Sequence, residues 1–235
     1  MSSNEARTGE AVASTLVGKQ RKRVPDWAVW LNACWGSLAD VFPEKEEDYP
    51  GSRWALWEKR IQQGQKDEEK LIRRIFRAHI NRRGISPPGD IASWAAEEHQ
   101  QVLHLTNAMY AALVVSIWSE IERFITDIVY ASRLATGQGK AATWLPKAAK
   151  YPTVHAVRVL NNCFKHTEGR YVPKLRKPDA QIDQMLLDRW SILDGRNVID
   201  YTKLPIKELV VACHSFCDDV LNALASSIEG NKSGE

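Results

Sequence analysis

A long helical pattern is the feature that most limits how this chain can fold. It runs from Asp90 to about Ala135, and in its second half apolar side chains recur at three- and four-residue steps, which places them on one face of an α-helix. Because the pattern is longer than an ordinary helix, we expect a break near Thr106 and Asn107. The apolar face consists of Val114, Ile117, Trp118, Ile121, Phe124, Ile125, Ile128 and Val129.

Similar stripes predict further helices on both sides of this one. Gly64 is expected to interrupt or loosen the pattern between the second and third of them. Val198 to Thr202 is the one convincing strand candidate, which predicts a minor β element near 197–203. The chain is therefore predicted to be a mainly α-helical bundle of six to eight helices. The remaining helices are expected at about 25–42, 52–64, 67–83, 153–166, 182–190 and 205–228.

Tryptophan is unusually frequent, with 9 residues against 6 Tyr and 5 Phe. Such large amphipathic rings either fill thick aromatic cores or present an aromatic surface to a partner. Five of them lie before residue 90, so we expect this region to pack around Trp94 or to dock a protein partner. The predicted organisation is a flexible tail (1–22), a Trp-rich helical extension (23–89), a helical bundle (90–230) and a second tail (231–235).

Bulk properties favour a cytoplasmic protein. The formal net charge is only +3, so any case for nucleic-acid binding must rest on local clusters. No apolar run reaches the roughly 18 residues of a membrane span, and the start of the chain lacks the pattern of a signal peptide, so we expect no membrane contact. Four cysteines are too few and too unevenly spaced for a disulfide scaffold, which favours reduced, buried thiols.

Residues with useful chemistry concentrate at the end of the helix predicted over 153–166. Asn162 and His166 are four residues apart, so an amide and an imidazole can address one point, and Lys165 adds a positive charge. This set suits a phosphodiester, because His transfers protons near neutral pH and cations stabilise the transition state. However, Lys and His in a last turn before Gly169 also complement a helix dipole, and spacing alone favours that structural role.

The stretch Asn162-Cys-Phe-Lys165-His166, with Gly169 after it, resembles the Arg-Asn-x-x-Lys-His signature of HEPN domains. These are small helical bundles found in prokaryotic ribonuclease toxins, phage-defence proteins and RNA-processing factors. The stretch from Ile117 to Ile128 is similar to the apolar-Glu-x-Phe-apolar helix that precedes the signature helix in such domains. The resemblance covers roughly 91–228. It implies a HEPN-like RNA-binding protein, a metal-independent endoribonuclease without cofactors that acts in stress or phage defence.

The resemblance also implies roles for individual residues. His166 would be the acid or base, Asn162 would orient groups, and Lys165 and Arg158 would bind phosphate. The family's catalytic arginine usually lies five positions before the histidine, where this chain has Asn161. That departure keeps open a second interpretation, a catalytically inactive module that binds RNA or a protein partner through its N-terminal helices. Further substrate contacts are predicted from Asn161, Arg170, Lys174 and Arg176.

The family also implies a homodimer, because its active members place two such motifs together. In this chain the dimer would join two helices that carry His166.

Two other clusters have competing interpretations. The stretch from Leu71 to Arg83 holds five Arg and a His, and a solvated basic face is favoured there over RNA contact. The stretch Cys213-His214-x-x-Cys217 offers metal-ligand types, but no second ligand pair exists elsewhere, so core cysteines are favoured and no metal site is predicted.

Overall fold

The computed structural model describes residues 26–83, 89–136, 151–167, 184–193 and 198–232. In this part of the chain the predicted mainly α-helical bundle is confirmed. Shorter turns occur at Tyr49–Gly51 (3-10), Met185–Arg189 (π) and Tyr201–Lys203 (3-10). The five long helices are α1 (Trp27–Val41), α2 (Arg53–Arg83), α3 (Gly89–Thr136), α4 (Pro152–Thr167) and α5 (Ile206–Lys232).

The long helix α3 is the centre of the bundle. It packs against α2, α4 and α5, and α5 also packs against α1 and α4. In its predicted apolar stripe Val114, Ile117, Ile121 and Ile128 are buried. The other four members, Trp118, Phe124, Ile125 and Val129, are half-buried. The facing stripe of α5 is buried in the same core. Burial of these two stripes supplies the main stabilisation, because each methylene group removed from water contributes about 0.8 kcal/mol.

The helix breaks expected from the sequence do not occur in α2 or α3. Helix α2 continues through Gly64, which lies exposed on the surface. Helix α3 continues through Thr106 and Asn107, so the predicted break there is wrong. The Thr106 hydroxyl donates to the carbonyl of Val102, one turn earlier, at 2.8 Å. Asn107 forms hydrogen bonds to a distant segment, and the Thr106 bond to its own helix does not interrupt that helix.

The minor β element consists of one antiparallel bridge between Leu193 and Ile199 in the described residues. The chain then turns into the 3-10 turn at Tyr201–Lys203 instead of continuing as a strand. The side-chain amide of Asn107 takes the place of a pairing strand. Its Nδ2 donates to the carbonyl of Ile199 at 3.0 Å, and its Oδ1 accepts from the backbone N–H of Tyr201 at 2.6 Å.

The Trp-rich region shares one hydrophobic core with the rest of the bundle. Trp54 is almost fully buried and stacks on the rings of Phe42 and Trp57. The indole N–H of Trp35 donates to the carboxylate of Asp218 in α5 at 2.8 Å. Trp94, in contrast, lies outside this core.

Two helical segments are long and apolar enough to cross a membrane by length and composition, Asp90–Arg133 and Ile206–Gly230. They lie in α3 and α5, which pack against each other, and 44% of each apolar window is buried inside the fold. Core helices of globular proteins meet the same criterion. The location of the protein therefore stays a prediction.

Helices α2 and α3 extend together beyond the bundle. Residues 62–80 of α2 and 90–105 of α3 contain no buried side chain, although both stretches hold large apolar residues. We call these two stretches the arm. Residues 53–61 of α2 and 106–133 of α3 include the side chains that these helices contribute to the core.

Candidate functional site

Helix α4 is buried at its beginning and exposed at its end. In its first half Val154, Val157 and Leu160 are enclosed by the core. In its last turns the surface is open, and Phe164 already exposes about a third of its side chain. The helix thus anchors one end in the bundle and presents the other to solvent.

The exposed end of α4 brings together the four residues predicted to be catalytic. Arg158, Asn162, Lys165 and His166 are all exposed. Their spacing of four, three and one places them within one side of the helix. Among the residues that the structure describes, no ion pair involves Arg158, Lys165 or His166. We call these four residues the α4 stripe.

Asn161 is not part of this stripe, because its side chain points into the core. It is only 1% exposed, and its Nδ2 makes a long contact of 3.4 Å with Oδ1 of Asn162. Within the part of the chain that the structure describes, its own Oδ1 is buried without a hydrogen-bond partner. The predicted contact of Asn161 with substrate is therefore not available from this position.

Arg170, Lys174 and Arg176 fall outside the described residues. The structure does not place them relative to the α4 stripe. Their predicted contacts with substrate stay predictions.

Tyr201 positions the end of α4, although no sequence motif marks this tyrosine. Its hydroxyl donates to the backbone carbonyl of Leu160 at 3.0 Å, and its ring contacts Phe164 edge to face with centroids 6.2 Å apart. Burial raises the pKa of the Tyr201 hydroxyl far above its ordinary value, so it remains a donor. Asn107 holds the backbone of this turn from α3. No sequence signal links these residues, since Asn107 and Tyr201 are 94 positions apart.

The helix that resembles the upstream HEPN helix buries its apolar face as predicted. Ile117, Ile121 and Ile128 are enclosed. Glu120 is on another side, where its carboxylate forms ion pairs with Arg53 of α2 and with Arg123. This glutamate therefore connects α3 to α2.

A groove of about 560 Å³ lies between α1 and α3. Its wall includes Trp27, Trp30, Cys34 and Asp127. Burial, and next the negative charge of Asp127, raise the pKa of the Cys34 thiol to about 11. This thiol is therefore protonated near neutral pH and is not an activated nucleophile.

Cys213 and Cys217 are core residues, which confirms the sequence interpretation. Both are fully buried in α5, and burial raises the pKa of both thiols. Burial also lowers the pKa of the neighbouring His214 imidazole. In the described part of the chain, no group of three or more His, Cys, Asp or Glu side chains could hold a metal ion.

The basic segment that begins at Leu71 lies on the arm. Arg73, Arg74 and Arg77 are exposed there, and Arg73 pairs with Glu69 in the preceding turn at 3.5 Å. This arrangement agrees with a solvated helix face.

Comparisons with protein-family models, curated proteins and solved structures find no match for this chain. The HEPN resemblance therefore depends on the residues of α3 and α4 described above.

Proposed function

We propose that the α4 stripe acts on RNA as a HEPN-type, metal-independent endoribonuclease site, in prokaryotic stress or phage defence in the cytoplasm. One observation carries this proposal. Arg158, Asn162, Lys165 and His166 share one exposed helix side, and the three basic side chains form no ion pairs with described residues. If Lys165 and His166 served only to stabilise the end of the helix, an arginine two turns earlier on the same side would have no part in that role.

The chemistry follows from the side chains. A base removes the proton of a ribose 2′-hydroxyl, whose oxygen attacks the adjacent phosphorus as the bond from phosphorus to the 5′ oxygen breaks. An acid returns a proton to that 5′ oxygen, which leaves a 2′,3′-cyclic phosphate and a 5′-hydroxyl. His166 serves in one of these roles. Lys165 and Arg158 neutralise the extra phosphate charge, and Asn162 orients the reacting group.

A single histidine cannot act as acid and base in the same step. The second group comes from His166 of a second copy, in a homodimer that brings two α4 ends together.

Cleavage of total RNA by the purified full chain in EDTA tests this proposal. We expect the wild type to produce fragments with cyclic phosphate ends and His166→Ala to produce none. His104→Ala is the matched control, because His104 is also an exposed helical histidine but lies on the arm, away from α4. Equal RNA integrity with the wild type and His166→Ala at high protein concentration contradicts the nuclease proposal.

A second candidate function is a non-catalytic module that binds a protein partner. Two observations favour it. Asn161 is buried at the position where the HEPN family has its catalytic arginine, and the half-buried rings of Trp27 and Trp30 line the groove between α1 and α3. Co-purification separates the two functions. The module predicts a stable complex that survives His166→Ala and is lost with Trp30→Ala.

A further inference from the structure

The solvent side of the arm carries a line of positive charges on α2. Five basic side chains fall within about 100° of the helix circumference, and they extend for about 16 Å along its axis. The half-buried stripe of α2, which includes Ile72 and Phe76, is centred about 110° away from them. The five residues are Lys66, Lys70, Arg73, Arg74 and Arg77, all of them exposed, and we call them the basic ridge.

Acidic side chains compensate only part of this charge. Lys70 and Arg73 each pair with an acidic side chain of the same helix, at 3.3 and 3.5 Å. Lys66, Arg74 and Arg77 form no ion pair with any described residue. Water screens the two exposed pairs, so they contribute little and yield easily to another anion. A polyanion that approaches this solvated face therefore meets three unpaired cations and two that it can recruit.

The spacing and chemistry of the basic ridge fit the phosphate backbone of a nucleic acid. Its members follow steps of three and four residues from Lys66 to Arg77, so a cation recurs at every helical turn of about 5.4 Å. A nucleic-acid strand likewise presents one negative charge per nucleotide in a regular line. Three of the five members are arginines, whose planar guanidinium groups can bind two phosphate oxygens at once.

The basic ridge lacks the apolar partner surface of a membrane-binding helix. Within residues 62–80, Gln63 is the one other residue in the same arc, so no apolar side chain lies among the cations. A helix that lies on a membrane inserts a broad apolar face beside its basic residues. The large exposed apolar side chains of α2 in the arm are only Leu71 and Ile75, and both lie outside the arc. Nucleic acid therefore fits this surface better than lipid.

We propose that the basic ridge binds nucleic acid through its phosphates, without reading the base sequence. This site is separate from the α4 stripe and does not depend on cleavage there. Because every contact is made to phosphate, binding weakens steeply as salt rises, and RNA and DNA strands of equal length bind alike.

Fluorescence anisotropy with labelled oligouridine and oligothymidine of equal length tests the proposal. The full chain carries His166→Ala in every sample, so that cleavage cannot change the signal. Arg74→Ala/Arg77→Ala should weaken binding of both strands by about tenfold at low salt. It should also reduce the slope of log affinity against log salt by about 1.4, because each phosphate contact on a single strand contributes about 0.7.

The matched control is Lys45→Ala/Lys207→Ala, which removes the same charge from two exposed positions outside the arm. It should leave affinity and salt slope unchanged. Circular dichroism should show the same helix content in both double variants, because the basic ridge lies in a stretch without buried side chains.

Three results overturn the proposal. The first is a chain that binds neither strand at low salt. The second is an equal loss of binding in the control and the ridge variant, or no loss in either. The third is binding to phosphatidylserine vesicles but not to oligonucleotides, which assigns the basic ridge to a membrane. A chain that binds through the basic ridge and cleaves no RNA contradicts the nuclease proposal alone.

Discussion

The hydroxyl of Tyr201 donates a hydrogen bond of 3.0 Å to the backbone carbonyl of Leu160, 41 residues earlier in the chain. Both residues are buried. The bond holds the 3-10 turn at Tyr201–Lys203 against α4 at Leu160, between Arg158 and Asn162 of the exposed α4 stripe. The position of the stripe therefore depends on a turn that is itself held by Asn107 of α3.

Removing this hydroxyl should destabilise the protein. Tyr201→Phe keeps the ring against Phe164 but removes the hydroxyl that donates to the buried carbonyl of Leu160. The free energy of unfolding should therefore fall by about 1–2 kcal/mol. Urea denaturation measures the change. Ser119→Ala is the control, because Ser119 loses an exposed hydroxyl that binds only within its own helix. Equal stability of the two variants would show that the Tyr201 bond contributes nothing.

Replacing Asn161 by leucine should cost little or stabilise the fold. The substitution removes a buried oxygen that has no hydrogen-bond partner among the described residues, and it keeps the number and branching of the side-chain heavy atoms, although leucine is bulkier. The expected change therefore lies within about 1 kcal/mol of zero. Asn161→Arg should instead lose about 3 kcal/mol or more, since it forces a charge into the core. Thermal and urea unfolding distinguish the two. A clear loss with Asn161→Leu would mean that the amide makes a necessary hydrogen bond.

The bond between Trp35 and Asp218 should contribute to holding α1 on α5. Trp35→Phe keeps an aromatic ring but loses an N–H donor to a carboxylate, which costs about 1.5 kcal/mol beyond the loss of ring area. Trp27→Phe is the matched control, because it loses the same ring area in the same helix. Chemical denaturation should place Trp35→Phe below Trp27→Phe in stability. The reverse order contradicts the role of this bond.

Stability should fall as the pH rises above 9. Burial raises the pKa of the Cys213 and Cys217 thiols above the ordinary 9.0, so the folded chain keeps protons that the unfolded chain releases. The contribution of these thiols is complete below pH 9 and decreases by up to about 1.4 kcal/mol per thiol for each further pH unit. Urea unfolding at pH 8, 9 and 10 in reductant should show a shallower slope for Cys213→Ala/Cys217→Ala. If stability fell equally steeply with pH in the variant and the wild type, Cys213 and Cys217 would not be the cause of the pH dependence.

The helices were predictable because their signal is local. Apolar residues at three- and four-residue steps correctly located α1, α4 and α5 to within a few residues. The predicted break in α3 failed because Thr106 and Asn107 are ambiguous side chains. Such side chains can end a helix by bonding its backbone, or they can be accommodated within it. Thr106 bonds a carbonyl one turn earlier in the continuous helix, whereas Asn107 bonds the distant segment near Ile199.

The candidate site was predictable in part. The spacing of Arg158, Asn162, Lys165 and His166 implied one helix side, and the structure exposes all four. Asn161 could not be assigned to the surface or the core from spacing alone, since it lies at the border between the two faces.

The sequence by itself determined which segments are helical and which face of each is apolar, because both properties depend on residues within a few turns of one another. Only the tertiary structure decided that Asn161 points inward, that Asn107 replaces a pairing strand, and that Tyr201 fixes the end of α4. These outcomes depend on partners dozens of residues away, and the burial and hydrogen bonds that create them exist only after the helices have packed.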